Sequence, residues 1–110
     1  MPARLIPLFG GRKVKKPVLI YRVEIDAKGW LRLYPAGERY DHIYRAAAGV
    51  KWDKSGGFLH AEEPGTWPYP AYFGQIISVV ASEYGDALTV SPTTEWLNVP
   101  ADIRAAIQAS

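Results

Sequence analysis

Val18-Leu19-Ile20-Tyr21-Arg22-Val23-Glu24-Ile25-Asp26-Ala27-Lys28-Gly29-Trp30-Leu31-Arg32-Leu33 decides the fold. Val18–Asp26 alternates Leu19, Tyr21, Val23 and Ile25 against Ile20, Arg22 and Glu24, the two-residue period of a half-buried strand. Asp26-Ala27-Lys28-Gly29 reads as a type I turn closed by a left-handed glycine. That turn sets Asp26 opposite Trp30, Ile25 opposite Leu31 and Val23 opposite Leu33, with Glu24 facing Arg32 on the other side. An apolar face and a charge pair follow from one assumption, so the register is specified.

Outward from this hairpin, Pro35-Ala36-Gly37 ends the second strand. Over Glu38–Ala48, Tyr40, Ile43, Tyr44, Ala47 and Ala48 fall at helical spacing, and Gly49 stands where a C-terminal cap would. The spacing predicts a helix there in preference to a strand. A second hairpin is expected from Val50–Asp53 and Phe58–Ala61 around Lys54-Ser55-Gly56-Gly57, with Trp52 near Phe58 or His60. The two glycines leave its register open by one residue.

Glu62–Pro70 reads as a loop, since Pro64, Gly65, Pro68 and Pro70 oppose regular structure. Helix Ala71–Tyr84 follows, with Phe73, Ile76, Ile77, Val80 and Tyr84 as its stripe and Gly85 as its stop. Ala87–Val90 is a short strand, Ser91-Pro92 can open a helical turn, and Pro100 opens a last helix over Ala101–Gln108. Strands and helices without βαβ alternation predict the α+β class: an antiparallel sheet with two hairpins, and two to three helices on one side.

The 110 residues suit one domain, at 48% hydrophobic and 22% charged, which is globular composition. There is no cysteine, which excludes disulfides, thiolate zinc sites and a thiol nucleophile. Leu5, Ile6, Leu8 and Phe9 are interrupted by Pro7 and followed by Gly10-Gly11, so no signal-peptide core is read. No apolar run approaches the roughly 20 residues that span a bilayer, and a cytoplasmic location is the expectation.

The net charge is +2, but it is unevenly spread. Residues 1–16 form a basic, partly ordered leader carrying Arg4, Arg12, Lys13, Lys15 and Lys16 with no acid; the domain, 17–110, is mildly acidic. Arg12, Lys13, Lys15 and Lys16 are the residues a nucleic-acid-seeking arm would use. One short cluster without interleaved aromatics reads instead as a solvated leader.

Chemistry-bearing patterns are sparse. His60-Ala61-Glu62-Glu63 brings a histidine close to two carboxylates, yet a metal needs three or more converging ligands and no H-x-H or H-x-x-x-H is present. Neither a G-x-S-x-G nor a phosphate-cradling glycine motif occurs. No catalytic residue, metal or cofactor is assigned, and an enzyme is the lesser expectation. The richest stretch is Trp67-Pro68-Tyr69-Pro70-Ala71-Tyr72, aromatic rings stiffened by prolines in the manner of binding hot spots.

Two block sequences, Ile43-Tyr44-Arg45-Ala46-Ala47-Ala48-Gly49-Val50-Lys51-Trp52 and Thr94-Glu95-Trp96-Leu97-Asn98-Val99-Pro100, resemble small bacterial proteins carried on integron gene cassettes or beside polymorphic toxins as immunity proteins. The resemblance implies a small α+β protein that acts by binding, and it assigns no functional residue. Two functions are therefore expected in order. The first is a protein-binding module, with another protein or itself as partner, using Trp67, Tyr69 and Tyr72 with an acidic rim from Glu62 and Glu63. The alternative is a small-molecule or enzymatic cleft lined by Trp52, His60, Trp67 and Tyr69.

Overall fold

The computed structural model describes residues 16–46, 49–61 and 68–109. Six strands and two helices follow in order: β1 (Lys16–Ile25), β2 (Leu31–Pro35), β3 (Val50–Asp53), β4 (Phe58–Ala61), α1 (Tyr69–Tyr84), β5 (Asp86–Thr89), β6 (Glu95–Leu97) and α2 (Ala101–Ala109). The sheet runs β3-β4-β2-β1-β5, with β6 also on β1. Pairings of β1 with β2, β2 with β4 and β3 with β4 are antiparallel, while β5 and β6 each join β1 in parallel. This is an α+β fold with a mostly antiparallel sheet.

The first hairpin has the register expected from its turn. Val23 pairs with Leu33, Glu24 with Arg32 and Ile25 with Leu31. Asp26 holds the turn, its Oδ1 accepting from the backbone N–H groups of Lys28 and Trp30, each at 2.9 Å. Gly29 adopts φ 84°, a conformation that costs a glycine nothing sterically.

The alternation expected along β1 does not hold throughout. A bulge lies between Ile20 and Arg22. Val18 and Ile20 face the core, and beyond the bulge Val23 does; Leu19 and Tyr21 are exposed rather than inward. One extra residue shifts the side-chain phase by one and turns both Tyr21 and Arg22 outward. The carbonyl of Ile20, within the bulge, is buried and accepts from the Thr94 hydroxyl at 2.7 Å. At the same point β1 changes its edge partner, from β5 along Lys16–Leu19 to β6 along Arg22–Glu24.

Other expectations are corrected locally. Glu38–Ala48 is not a helix over its described part: one 3-10 turn, Ile43–Arg45, suffices to bury Ile43 beside Tyr40. The tyrosine ring is fixed by its own bond, with the Tyr40 hydroxyl donating to the buried Asp86 at 2.9 Å. Helix α1 begins two residues before Ala71, because Pro70 sits in its first turn, where no N–H is required. Gly85, at φ 71°, ends it as expected. Ser91-Pro92 opens no helix: the Thr94 N–H closes a turn onto Ser91 O at 3.0 Å and leads into β6.

The inward side chains form one cluster, in which Ile20, Val23, Leu33 and Leu59 meet Phe73, Ile76 and Val80 of α1 and Ile107 of α2. Both helices therefore cover the same face of the sheet. Among the described residues, the opposite face carries no helix.

Candidate functional site

Cross-strand partners share a face, so the registers fix which residues reach the bare side. Leu33 pairs with Leu59 and Leu59 with Trp52, and these point to the helices. Arg32 pairs with His60 and His60 with Lys51, and these point away. Trp52 and His60 thus lie on opposite faces, and the cleft expected from both together is not formed. Trp52 packs edge-on against Tyr40 at 5.7 Å.

On the bare face a line of rings crosses the sheet. Tyr21 on β1 lies 5.7 Å from Tyr34 on β2, which lies 5.0 Å from Phe58 on β4. Phe58 meets His60 edge-on at 5.7 Å, and His60 stacks on Trp30 at 5.6 Å with the planes 5° apart. Cations lie over these rings: Arg22 over Tyr34 at 5.1 Å, Arg32 over Phe58 at 4.5 Å and Lys28 over Trp30 at 5.0 Å. Each such contact is worth about 0.5–1 kcal/mol at an exposed site and more when dry. The β1 bulge is what places Tyr21 and Arg22 on the same ring.

Carboxylates balance the cations. Arg22 Nε donates to Glu95 at 2.6 Å, and Arg32 reaches Asp26 at 3.2 Å. The Tyr34 hydroxyl donates to Glu24 at 3.0 Å. Burial alone would raise the Asp26 carboxyl, but the N–H groups of Trp30 and Lys28 and the charge of Arg32 outweigh it and hold it below the usual carboxylate range. Arg32 is held charged above the usual guanidinium range, first by its bond to Tyr34, against some burial, and then by the charges around it.

Between the Asp26–Trp30 turn and the β3–β4 turn lies a cleft of about 270 Å³, walled by Trp30, Phe58 and His60. Phe58 takes the space that a side chain at Gly56 would need, so that turn closes tightly over the ring. Among the described residues no three His, Asp or Glu side chains are grouped to hold a metal ion. No helix among them is long and apolar enough to cross a membrane.

Of the expected aromatic stretch, Tyr69 and Tyr72 are described. Tyr69 and Tyr72, in the first turn of α1, are half-buried against the core. The Tyr69 hydroxyl donates to Gly29 O at 2.6 Å, and the Tyr72 hydroxyl comes within 2.8 Å of where a side chain at Gly49 would begin. Both tie α1 to distant turns. Trp67, Glu62 and Glu63 lie outside the described residues, as do Arg12, Lys13 and Lys15. Lys16 opens β1 and its ammonium pairs with Glu38.

Sequence reasoning missed Tyr21, Arg22, Tyr34 and Phe58 as parts of one surface. The Glu24–Arg32 pair was the available signal, because it named the outward phase of the first hairpin. Extending that phase to Tyr34 needed only the register, but Tyr21 needed the bulge.

A model of the family described as Integron Cassette Protein Hfx_Cass5 matches residues 19–94, from the middle of β1 to Thr94. The chain belongs to this integron cassette protein family. The ladder of rings on the bare face, Tyr21, Tyr34, Phe58, His60 and Trp30, falls inside the matched span of the Hfx_Cass5 family. A solved Hfx_Cass5 integron cassette protein, from the mobile metagenome of the North West Arm sewage outfall, is 33% identical. The match covers 91% of this chain and 96% of that one, with a TM-score of 0.42. No curated protein matches.

Proposed function

We propose that this integron cassette protein acts by binding another protein through the bare face of its sheet. One observation carries the reading: the unbroken line of rings from Tyr21 to Trp30 on the side that neither helix covers. Tyrosine, tryptophan and arginine are the residues that concentrate binding energy at protein interfaces. A sheet face supports them on rigid strands, so little side-chain entropy is lost on contact. A polyanion fits less well, because Arg22 and Arg32 already have carboxylate partners and the face carries both signs. A protein surface of mixed charge can exchange with such pairs.

Photo-crosslinking tests this. A photoreactive residue placed at Tyr21 or at Trp30, in the full chain expressed in cells, is expected to give a protein adduct of defined mass. The same residue at Glu83, exposed on α1, is expected to give none. An adduct of twice the chain mass identifies a second copy as the partner. Equal labelling from all positions, or from Glu83 only, removes the bare face as the working surface.

A further inference from the structure

The strand registers also order the charges of the bare face. On β3, Lys51 pairs with His60 and Asp53 with Phe58, so both charges lie on that face. On β1, Arg22 pairs with Tyr34 and Glu24 with Arg32. In the sheet β3 and β1 flank β4 and β2. One row across the face therefore begins at Lys51 and ends at Glu24. The next begins at Asp53, passes through the rings of Phe58 and Tyr34, and ends at Arg22. Each flanking strand carries one charge of each sign, and the two strands carry them in opposite order.

A pattern of this kind matches itself. A two-fold axis in the plane of the sheet and parallel to its strands exchanges β3 with β1 and keeps the rows. It sets Lys51 opposite Glu24 of a second copy and Asp53 opposite Arg22 of that copy, with Phe58 over Tyr34 between them. An axis across the strands exchanges the rows instead, and sets Lys51 opposite Asp53 and Arg22 opposite Glu24. Either way, each of these charges meets its opposite. Both axes keep the strands of the two sheets near alignment, as face-to-face sheet packing requires. Arg22 already bonds Glu95, but a guanidinium has several N–H donors and can keep that partner while meeting another carboxylate.

We infer that the occupant of the bare face is a second copy of this chain, the two sheets packed face to face about a two-fold axis. The inference rests on the reading of that face as a protein-binding surface and names its partner. Self-complementarity is what a symmetric dimer interface demands, because the same patch serves on both sides. The charges set the orientation and disfavour wrong partners, and the rings between them supply the contact.

Sedimentation equilibrium of the full chain tests this. The average mass is expected to rise with concentration from one chain, 12.2 kDa, toward twice that value, and added salt should weaken the association. Lys51 is exposed, and Lys51→Glu sets acid against acid under either axis. It is expected to weaken association by about tenfold or more, with the unfolding midpoint of the dilute chain unchanged. A charge swap then asks for rescue. The acidic pair Lys51→Glu with Arg22→Glu, and the basic pair Glu24→Lys with Asp53→Lys, should each be monomeric alone and form a heterodimer when mixed. If those double variants do not fold, Lys51→Glu decides alone.

A wild-type chain that stays monomeric at every concentration overturns the inference. An adduct from Tyr21 or Trp30 with a mass other than twice the chain also overturns it, while leaving the face a protein-binding surface. No adduct at all removes both. A dimer undiminished by Lys51→Glu overturns the inference too, because another surface then joins the copies.

Discussion

The two faces of one sheet solve different problems. The covered face is aliphatic: Ile20, Val23, Leu33 and Leu59 are fully buried beneath α1 and α2. The bare face is aromatic and charged, and its side chains shield one another. Tyr34 is only 7% exposed although no helix lies on it, because its neighbours include Tyr21, Arg22 and Phe58. Tyr21, at 43% exposed, is the outer end of that stack. The contrast teaches that ring, cation and carboxylate contacts among the described residues can order a sheet face without a helix on it, leaving Tyr21 exposed. Aliphatic burial stabilises the domain, and the ladder arranges a surface.

That division can be broken experimentally. The largest effect is expected on the covered face: Leu33→Ala should cost about 2–5 kcal/mol, because a fully buried site leaves a cavity. Urea denaturation measures it, and a loss below 1 kcal/mol would contradict the assignment of the core to that face. Next is the joint between β5 and β6. Thr94→Val keeps the side-chain shape but strips the donor from the buried Ile20 carbonyl, and should cost about 1–3 kcal/mol. The same variant should speed amide exchange around Tyr21, where the bulge loses its brace.

Asp26 gives a smaller and pH-dependent effect. Its folded-state pKa is lowered, so its stabilisation is present above the unfolded-state value, about 4, and is lost as pH falls through the folded-state value. The wild-type chain should therefore lose stability on acidification below about pH 4. Asp26→Asn should cost about 1 kcal/mol at neutral pH and flatten that acid dependence. Denaturation midpoints measured from about pH 2 to about pH 7 (from roughly two units below the ordinary carboxylate value up to neutrality) check both. An acid dependence unchanged in the variant would assign the loss to other carboxylates.

The smallest stability effect is expected at the outer end of the ladder. Tyr21→Ala should change stability by about 0.5 kcal/mol, while abolishing the adduct formed from a photoreactive residue at Trp30. A large stability loss with the adduct intact would make Tyr21 a structural ring and would return the bare face to a purely internal role.

How far the sequence foretold these faces differs from residue to residue. The Val23–Leu33 and Glu24–Arg32 pairs were legible because a four-residue turn and a two-residue period leave one register. Ile76, Val80 and Ile107 were legible from helical spacing. Tyr69 and Tyr72 were misleading in isolation: rings beyond the helix stripe look spare, but the turns that absorb them lie at Gly29 and Gly49, far along the chain. Trp52 and His60 looked like neighbours because the glycine-rich turn left the second hairpin's register open, and a shift of one residue exchanges faces.

Local chemistry by itself determined the hairpins, the two helices, the α+β class and the absence of thiol or disulfide chemistry. Those rest on interactions within a few residues, where turn geometry and side-chain period act directly. Tertiary structure decided the bulge at Tyr21, the change of edge partner from β5 to β6 and therefore which rings share the bare face. The physical reason is the long-range bond between Thr94 and Ile20, 74 residues apart. Nothing near Ile20 in the sequence announces that its carbonyl will be satisfied by a side chain from so far along the chain, at the bulge where the phase of β1 changes.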